Sequence, residues 1–103
     1  MNQTIEFCER FLNEGDRAKA TCELVELGEY AIPILRSIFD GSAKNKFDIS
    51  FNKLGMPLSC ALVASRRLGV IAEPLLPYIK QQVELEHPYA IEAIEKLPFS
   101  KNT

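Results

Sequence analysis

One stretch of this chain is written twice, 41 residues apart. Ala20 to Ile38 reads ATCELVELGEYAIPILRSI, and Ala61 to Ile79 reads ALVASRRLGVIAEPLLPYI. Laid over one another, Ala20 falls on Ala61, Leu27 on Leu68, Gly28 on Gly69, Ala31 on Ala72, Pro33 on Pro74, Leu35 on Leu76 and Ile38 on Ile79. The shared core is L-G-x-x-A-x-P-x-L. Apolar residues before each glycine recur at three- and four-residue steps, the period of one face of a helix. Glycine accepts the left-handed backbone that ends a helix. A proline five residues later suits the first turn of the next helix, where its missing N–H costs little. Each unit therefore predicts a helix, a tight turn and a second helix, with Ala31 or Ala72 small enough for the two to cross closely.

Paired helices repeating at a period of about 40 residues are the pattern of HEAT and armadillo arrays. The L-G-x-x-A-x-P-x-L core resembles the HEAT consensus, over about Asp16 to Asp40 and Pro57 to Glu86. The expected fold is all-α, a short α-solenoid of two HEAT-like helical hairpins with flanking capping helices, forming a single domain over residues 1–103.

Around the repeats the elements are predicted as follows. Thr4 to Asn13 forms a short helix with Thr4 as N-cap and a stripe of Ile5, Cys8, Phe11 and Leu12. Gly15 and Asp16 turn and cap the first repeat helix, which runs to Leu27. Its partner spans about Glu29 to Phe39 and ends at Gly41. The third repeat helix runs from Met56-Pro57 to Leu68, and the fourth from about Ile71 to Glu86, with Pro77 bending it or delaying its start. His87-Pro88 marks a break. Tyr89 to Leu97 is a further helix with Ala90, Ile91, Ile94 and Leu97 on one side, stopped by Pro98. It reads as a truncated repeat with an acidic outer face (Glu92, Glu95) that suits a cap.

Gly41 to Met56 is the longest irregular segment, and loops of this length are uncommon unless functional or disordered. Phe47, Ile49 and Phe51 alternate with Asp48 and Ser50. The favoured reading tucks the phenylalanines onto the core. The alternative is an exposed binding loop built on Lys44, Lys46, Phe47 and Phe51, with Lys53 nearby, that meets phosphates and stacks on bases.

Composition restricts function. A formal net charge of -2 lacks the basic field of a nucleic-acid binder, so nucleic acid is not expected as a partner. No apolar run is long enough to cross a bilayer, and the N-terminus, with Glu6, Glu9 and Glu14, does not read as a secretory signal. The chain is read as cytoplasmic.

Catalytic and ligand-holding patterns are missing. Cys8, Cys22 and Cys60 are widely spaced and fall on apolar-pattern positions, so all three are expected as buried, reduced thiols. His87 is the sole histidine and suits a cap. No metal site and no cofactor are expected. Gly28, Gly41, Gly55 and Gly69 stand apart and make no phosphate loop. Glu23 with Glu26, and Glu92 with Glu95, are expected on solvated faces. Arg66 and Arg67 favour the end of a helix dipole.

The HEAT resemblance implies that the second helices of successive pairs line one binding face. Tyr30, Arg36, Ser37 and Asp40 would come from the first pair, and Glu73, Tyr78, Gln81, Gln82 and Glu84 from the second. Tyr and Arg are enriched at binding hot spots. The expected function is a non-catalytic protein-binding module, an adaptor or inhibitor of a partner protein. One version is a bacterial toxin-immunity-type protein. The alternative is an enzyme or nucleic-acid accessory protein of HEAT-like architecture. A homodimer through the truncated end repeat is left open.

Overall fold

The structure is a computed structural model that describes residues 2–97. Pro98 and the Lys101-Asn102-Thr103 tail lie outside the described residues. Among the described residues there are six α-helices: α1 (Asn2–Leu12), α2 (Arg17–Glu26), α3 (Ala31–Phe39), α4 (Met56–Leu68), α5 (Leu76–Glu84) and α6 (Pro88–Lys96). Among the described residues no strand forms, and none of these helices is long and apolar enough to cross a membrane.

Helix α4 is the centre of the packing. It lies against α1, α2, α3 and α6, while α5 packs on α6. Its sequence explains this position. Pro57, Leu58, Cys60, Ala61, Leu62, Ala64, Ser65 and Leu68 are all buried, so apolar or small residues face inward around most of its girth. Ser65, the one hydroxyl among them, donates to the carbonyl of Ala61 at 2.8 Å and leaves no buried polar group unpaired. Small residues let neighbours approach: Ala20, Ala31, Ala61, Ala64, Ala72, Ala90 and Ala93 are fully buried.

Both repeat glycines turn the chain as expected, at φ +60° for Gly28 and +65° for Gly69. A 3₁₀ turn over Gly28–Tyr30 leads into α3. The second unit differs. Its 3₁₀ stretch runs Gly69–Leu75, and α5 begins only at Leu76 with Pro77 in its first turn. Pro74 removes a donor inside the 3₁₀ stretch, and the α-helix starts only where Pro77 falls in its first turn, where a missing N–H costs little.

Several expectations are corrected. Thr4 is not a cap: it lies inside α1 and is buried, and the inward stripe is Thr4, Phe7, Cys8 and Phe11, with Leu12 exposed. Phe7 and Phe11 stack at 6.2 Å between centroids. The buried stripe of α6 is Ala90 and Ala93, continued by its C-cap Leu97, which leaves Ile91 on the solvent side. Cys8 and Cys60 are buried but Cys22 is exposed. Cys22 stands two residues from both Ala20 and Leu24, so it points about 200° round the helix from that buried pair.

Glu23 is not a free surface carboxylate either. The Arg10 guanidinium from α1 bridges Asp16 (2.7 Å) and Glu23 (2.8 Å), tying α1 to the start and middle of α2. The Asp16 side chain is committed to this clamp and makes no cap bond, although its backbone carbonyl accepts from Ala20 N–H at 2.9 Å. Arg66 reaches across to Glu92 on α6.

Candidate partner-binding surface

The segment joining α3 to α4 is an ordered, doubled-back loop. Gly41 turns it at φ +82°. Bonds that fasten its base include Ala43 N–H to Ser37 carbonyl at 2.9 Å, Phe51 N–H to Ala43 carbonyl at 2.9 Å, Ser50 Oγ to Gly41 carbonyl at 2.7 Å, and Asn52 Nδ2 to Phe39 carbonyl at 3.2 Å. Lys44 and Ser50 make an isolated antiparallel bridge. At the tip, Asn45 Oδ1 accepts from the N–H groups of Phe47 (2.8 Å) and Ile49 (3.0 Å), with Asp48 at φ +64°. This side-chain turn is the local alternative to regular structure that asparagine offers.

The two phenylalanines of the loop part company. Phe51 tucks in as expected and is fully buried against α4. Phe47 does not: it is 70% exposed, with the Lys46 ammonium 5.3 Å from its ring centroid. The expectation that both cover the core fails at Phe47, because the Asn45 turn reverses the chain before it can reach back.

Beside the loop base lies a groove of about 650 Å³. Gln3 and Ile5 of α1 form one wall, Pro33, Ile34 and Ser37 of α3 the floor, and Ala43 and Lys44 the far side. Tyr30 stands at its rim, 75% exposed. Ser37 spends its hydroxyl on the Ile34 carbonyl at 2.8 Å. Lys44 Nζ is 3.6 Å from the Asp48 carboxylate.

Of the residues expected on a binding face, Tyr30, Ser37 and Lys44 therefore meet in one groove. Tyr78 and Gln81 line a separate depression with Pro77, Lys80 and Glu84. Tyr78 is half-buried, its ring parallel to that of Phe39 at 6.0 Å, so it packs between α3 and α5 rather than standing free. Arg36, Asp40 and Glu73 are exposed and Gln82 half-buried, and these four line neither depression. Asp40 accepts from Ser42 N–H at 2.8 Å, closing the turn after α3.

A second cleft, about 350 Å³, opens between α2 and α4 and was not foreseen. Arg17, Cys22, Cys60 and Arg67 all line it. Its signal in the sequence was the phase of Cys22, off the buried stripe of α2. Burial raises the Cys60 thiol in this cleft and pushes that of Cys8, elsewhere in the core, up to about 12, so both are poor nucleophiles in the folded chain. His87 caps α6, its Nδ1 accepting from Tyr89 N–H at 3.2 Å, and partial burial lowers its pKa.

Among the described residues no three His, Cys, Asp or Glu side chains converge as metal ligands. Compared with known proteins, the chain matches no family model, no curated protein and no solved structure.

Proposed function

We propose that this chain is a non-catalytic protein-binding module, an adaptor or inhibitor of a partner protein, built as a short HEAT-like α-solenoid. The 41-residue repeat supports the architecture, together with the succession in which α2 packs on α4 and α4 on α6. The observation that carries the function is the groove between α1, α3 and the loop base, with an exposed tyrosine at its rim.

Tyrosine brings a large contact area with few rotors to freeze, which suits a hot spot. The loop beside the groove is already ordered through Asn45, so its exposed Phe47 enters an interface with little further entropy to lose. Arg36, exposed on α3, adds a guanidinium near the same helix face. The face combines apolar area with a few hydrogen-bonding groups, as protein interfaces do.

The test is capture of partners from a lysate of the source organism by the tagged chain, run beside a Tyr30→Ala, Arg36→Ala, Phe47→Ala variant. Tyr78 is left intact because its ring is part of the α3–α5 packing. Each change at a hot spot should weaken binding about tenfold, while the melting temperature stays put. A partner retained equally by the variant would overturn this surface.

A further inference from the structure

The cleft between α2 and α4 lies apart from the proposed partner-binding groove and is built differently. Its apolar walls include Met56 and Val63 of α4, and Tyr89 stands at its edge. Two guanidiniums serve it, Arg17 from α2 and Arg67 from α4. Arg10 and Arg66 are taken up by carboxylates, but neither Arg17 nor Arg67 has one within ion-pair distance among the described residues.

Arg17 is nonetheless held in place: its Nε donates to the Phe11 carbonyl at 2.7 Å, and the residue lines the cleft. Arg67 Nη1 lies 3.5 Å from the Cys22 sulfur, a weak acceptor for a guanidinium. Glu14 is the one carboxylate on the rim. Two cations against one carboxylate, with apolar side chains beside them, make a field complementary to an anion with a hydrophobic body. The volume is at the small end for ligand sites, which run from about 300 Å³ upward.

We infer that this cleft binds a small organic acid, its carboxylate drawn to Arg17 and Arg67 and its apolar body lying on Met56 and Val63. Guanidinium donors match a carboxylate in geometry as well as charge. Cys22, exposed at the same site, serves as a built-in reporter of occupancy.

The experiment uses the full chain and a matched probe pair, phenylpropionate and phenylpropionamide, which share a shape and differ in charge. Occupancy is read two ways: slowing of Cys22 alkylation by neutral iodoacetamide, resolved by mass spectrometry, and methyl NMR shifts of Met56 and Val63. Phenylpropionate should protect Cys22 saturably and shift both methyls, and the amide should bind about tenfold more weakly. Arg17→Gln and Arg67→Gln should each cost about tenfold in affinity for the acid. Glu14→Gln should tighten it. Equal binding of acid and amide would overturn the inference, as would arginine variants that bind the acid normally. So would an acid that shifts neither methyl and leaves the alkylation rate unchanged.

Discussion

The two repeat units share a sequence core yet occupy different places in the molecule. In the first, α2 lies against α1 and α4, and one side of it is open to solvent along Cys22 and Glu26. In the second, α4 is enclosed by α1, α2, α3 and α6. Aligned positions show how one pattern accommodates both. Ala20 and Ala61 are fully buried in each, as are Ala31 and Ala72. Thr21 of the first unit becomes Leu62 of the second, and Leu24 becomes Ser65. The outer helix is held partly by the charged Arg10 clamp, and the central one by apolar packing. The repeat specifies the turn and the close contact; its non-identical positions decide which helix is interior.

The largest expected effect separates the units at Leu62 and Thr21. Leu62→Ala removes a fully buried side chain from the enclosed helix and should destabilise by about 2–5 kcal/mol. Thr21→Ala removes a hydroxyl that donates to the Arg17 carbonyl at 2.9 Å and is also a hydrogen-bond partner of the Cys60 thiol, and should cost about 1 kcal/mol. Urea unfolding of both variants checks this. Equal costs would erase the distinction between an enclosed and a peripheral unit. Next come the paired glycines, where the units should behave alike. A Cβ added at Gly28 or Gly69 meets nothing within 4 Å, so only the positive φ resists it. Gly28→Ala and Gly69→Ala should each lose about 1–3 kcal/mol, Gly69 (φ 65°, ψ -129°) lying outside the αL well that other residues tolerate. A neutral result at one of them would mean that its turn is not set by the glycine.

A smaller effect belongs to the first unit alone. Hydrogen bonds from Arg10 hold the Asp16 and Glu23 carboxyls below their ordinary pKa values of 3.8 and 4.5. Groups depressed on folding contribute stability that is complete above the ordinary values and is lost as pH falls through the folded ones. The wild-type melting temperature should therefore drop as pH falls below those ordinary values, and Arg10→Gln should flatten that part of the profile. High salt should weaken the clamp, since it is only partly buried. A profile unchanged by Arg10→Gln would remove the clamp from the account of α1 docking.

Where the sequence could be read, and where it could not, follows from what each element depends on. The bounds of α4 are local: Pro57 opens it and Gly69 closes it, so Met56 to Leu68 was predicted as found. The turn at Gly28 is local in the same sense. The start of α5 is legible in part: a delay is one of the two outcomes that Pro77 predicts and is the one found, but its extent, from Ile71 to Leu76, depends on how the 3₁₀ stretch packs on α3 and α4. Which side of a short helix faces inward was read one step out of phase at Leu12 and Ile91, since both adjoin a truly buried residue. Phe47 and Phe51 are the same residue type, and apolarity alone cannot tell them apart; the Asn45 side chain does. The groove at Tyr30 needs α1 placed beside α3, and no spacing within either helix encodes that.

The smallest effect tests the far end of the second unit. His87 adopts an extended backbone (φ -69°, ψ 121°) and its Nδ1 caps the Tyr89 N–H, which requires that nitrogen to be unprotonated. Partial burial depresses its pKa below the ordinary 6.5. The folded chain therefore takes up the proton less readily than the unfolded one, so stability falls as pH drops through 6.5 toward the folded value. Amide exchange in α6, corrected for intrinsic rates, should accelerate between about pH 7.5 and about pH 5.5, while the amides of α4 stay protected. At 3.2 Å the bond is long, and His87→Ala should cost only about 0.5 kcal/mol, the low end for a side-chain cap. His87→Asn should keep the cap and lose the pH dependence. If the asparagine variant still frays at the lower pH, the titrating group lies elsewhere, and the cap contributes to α6 only through its backbone conformation.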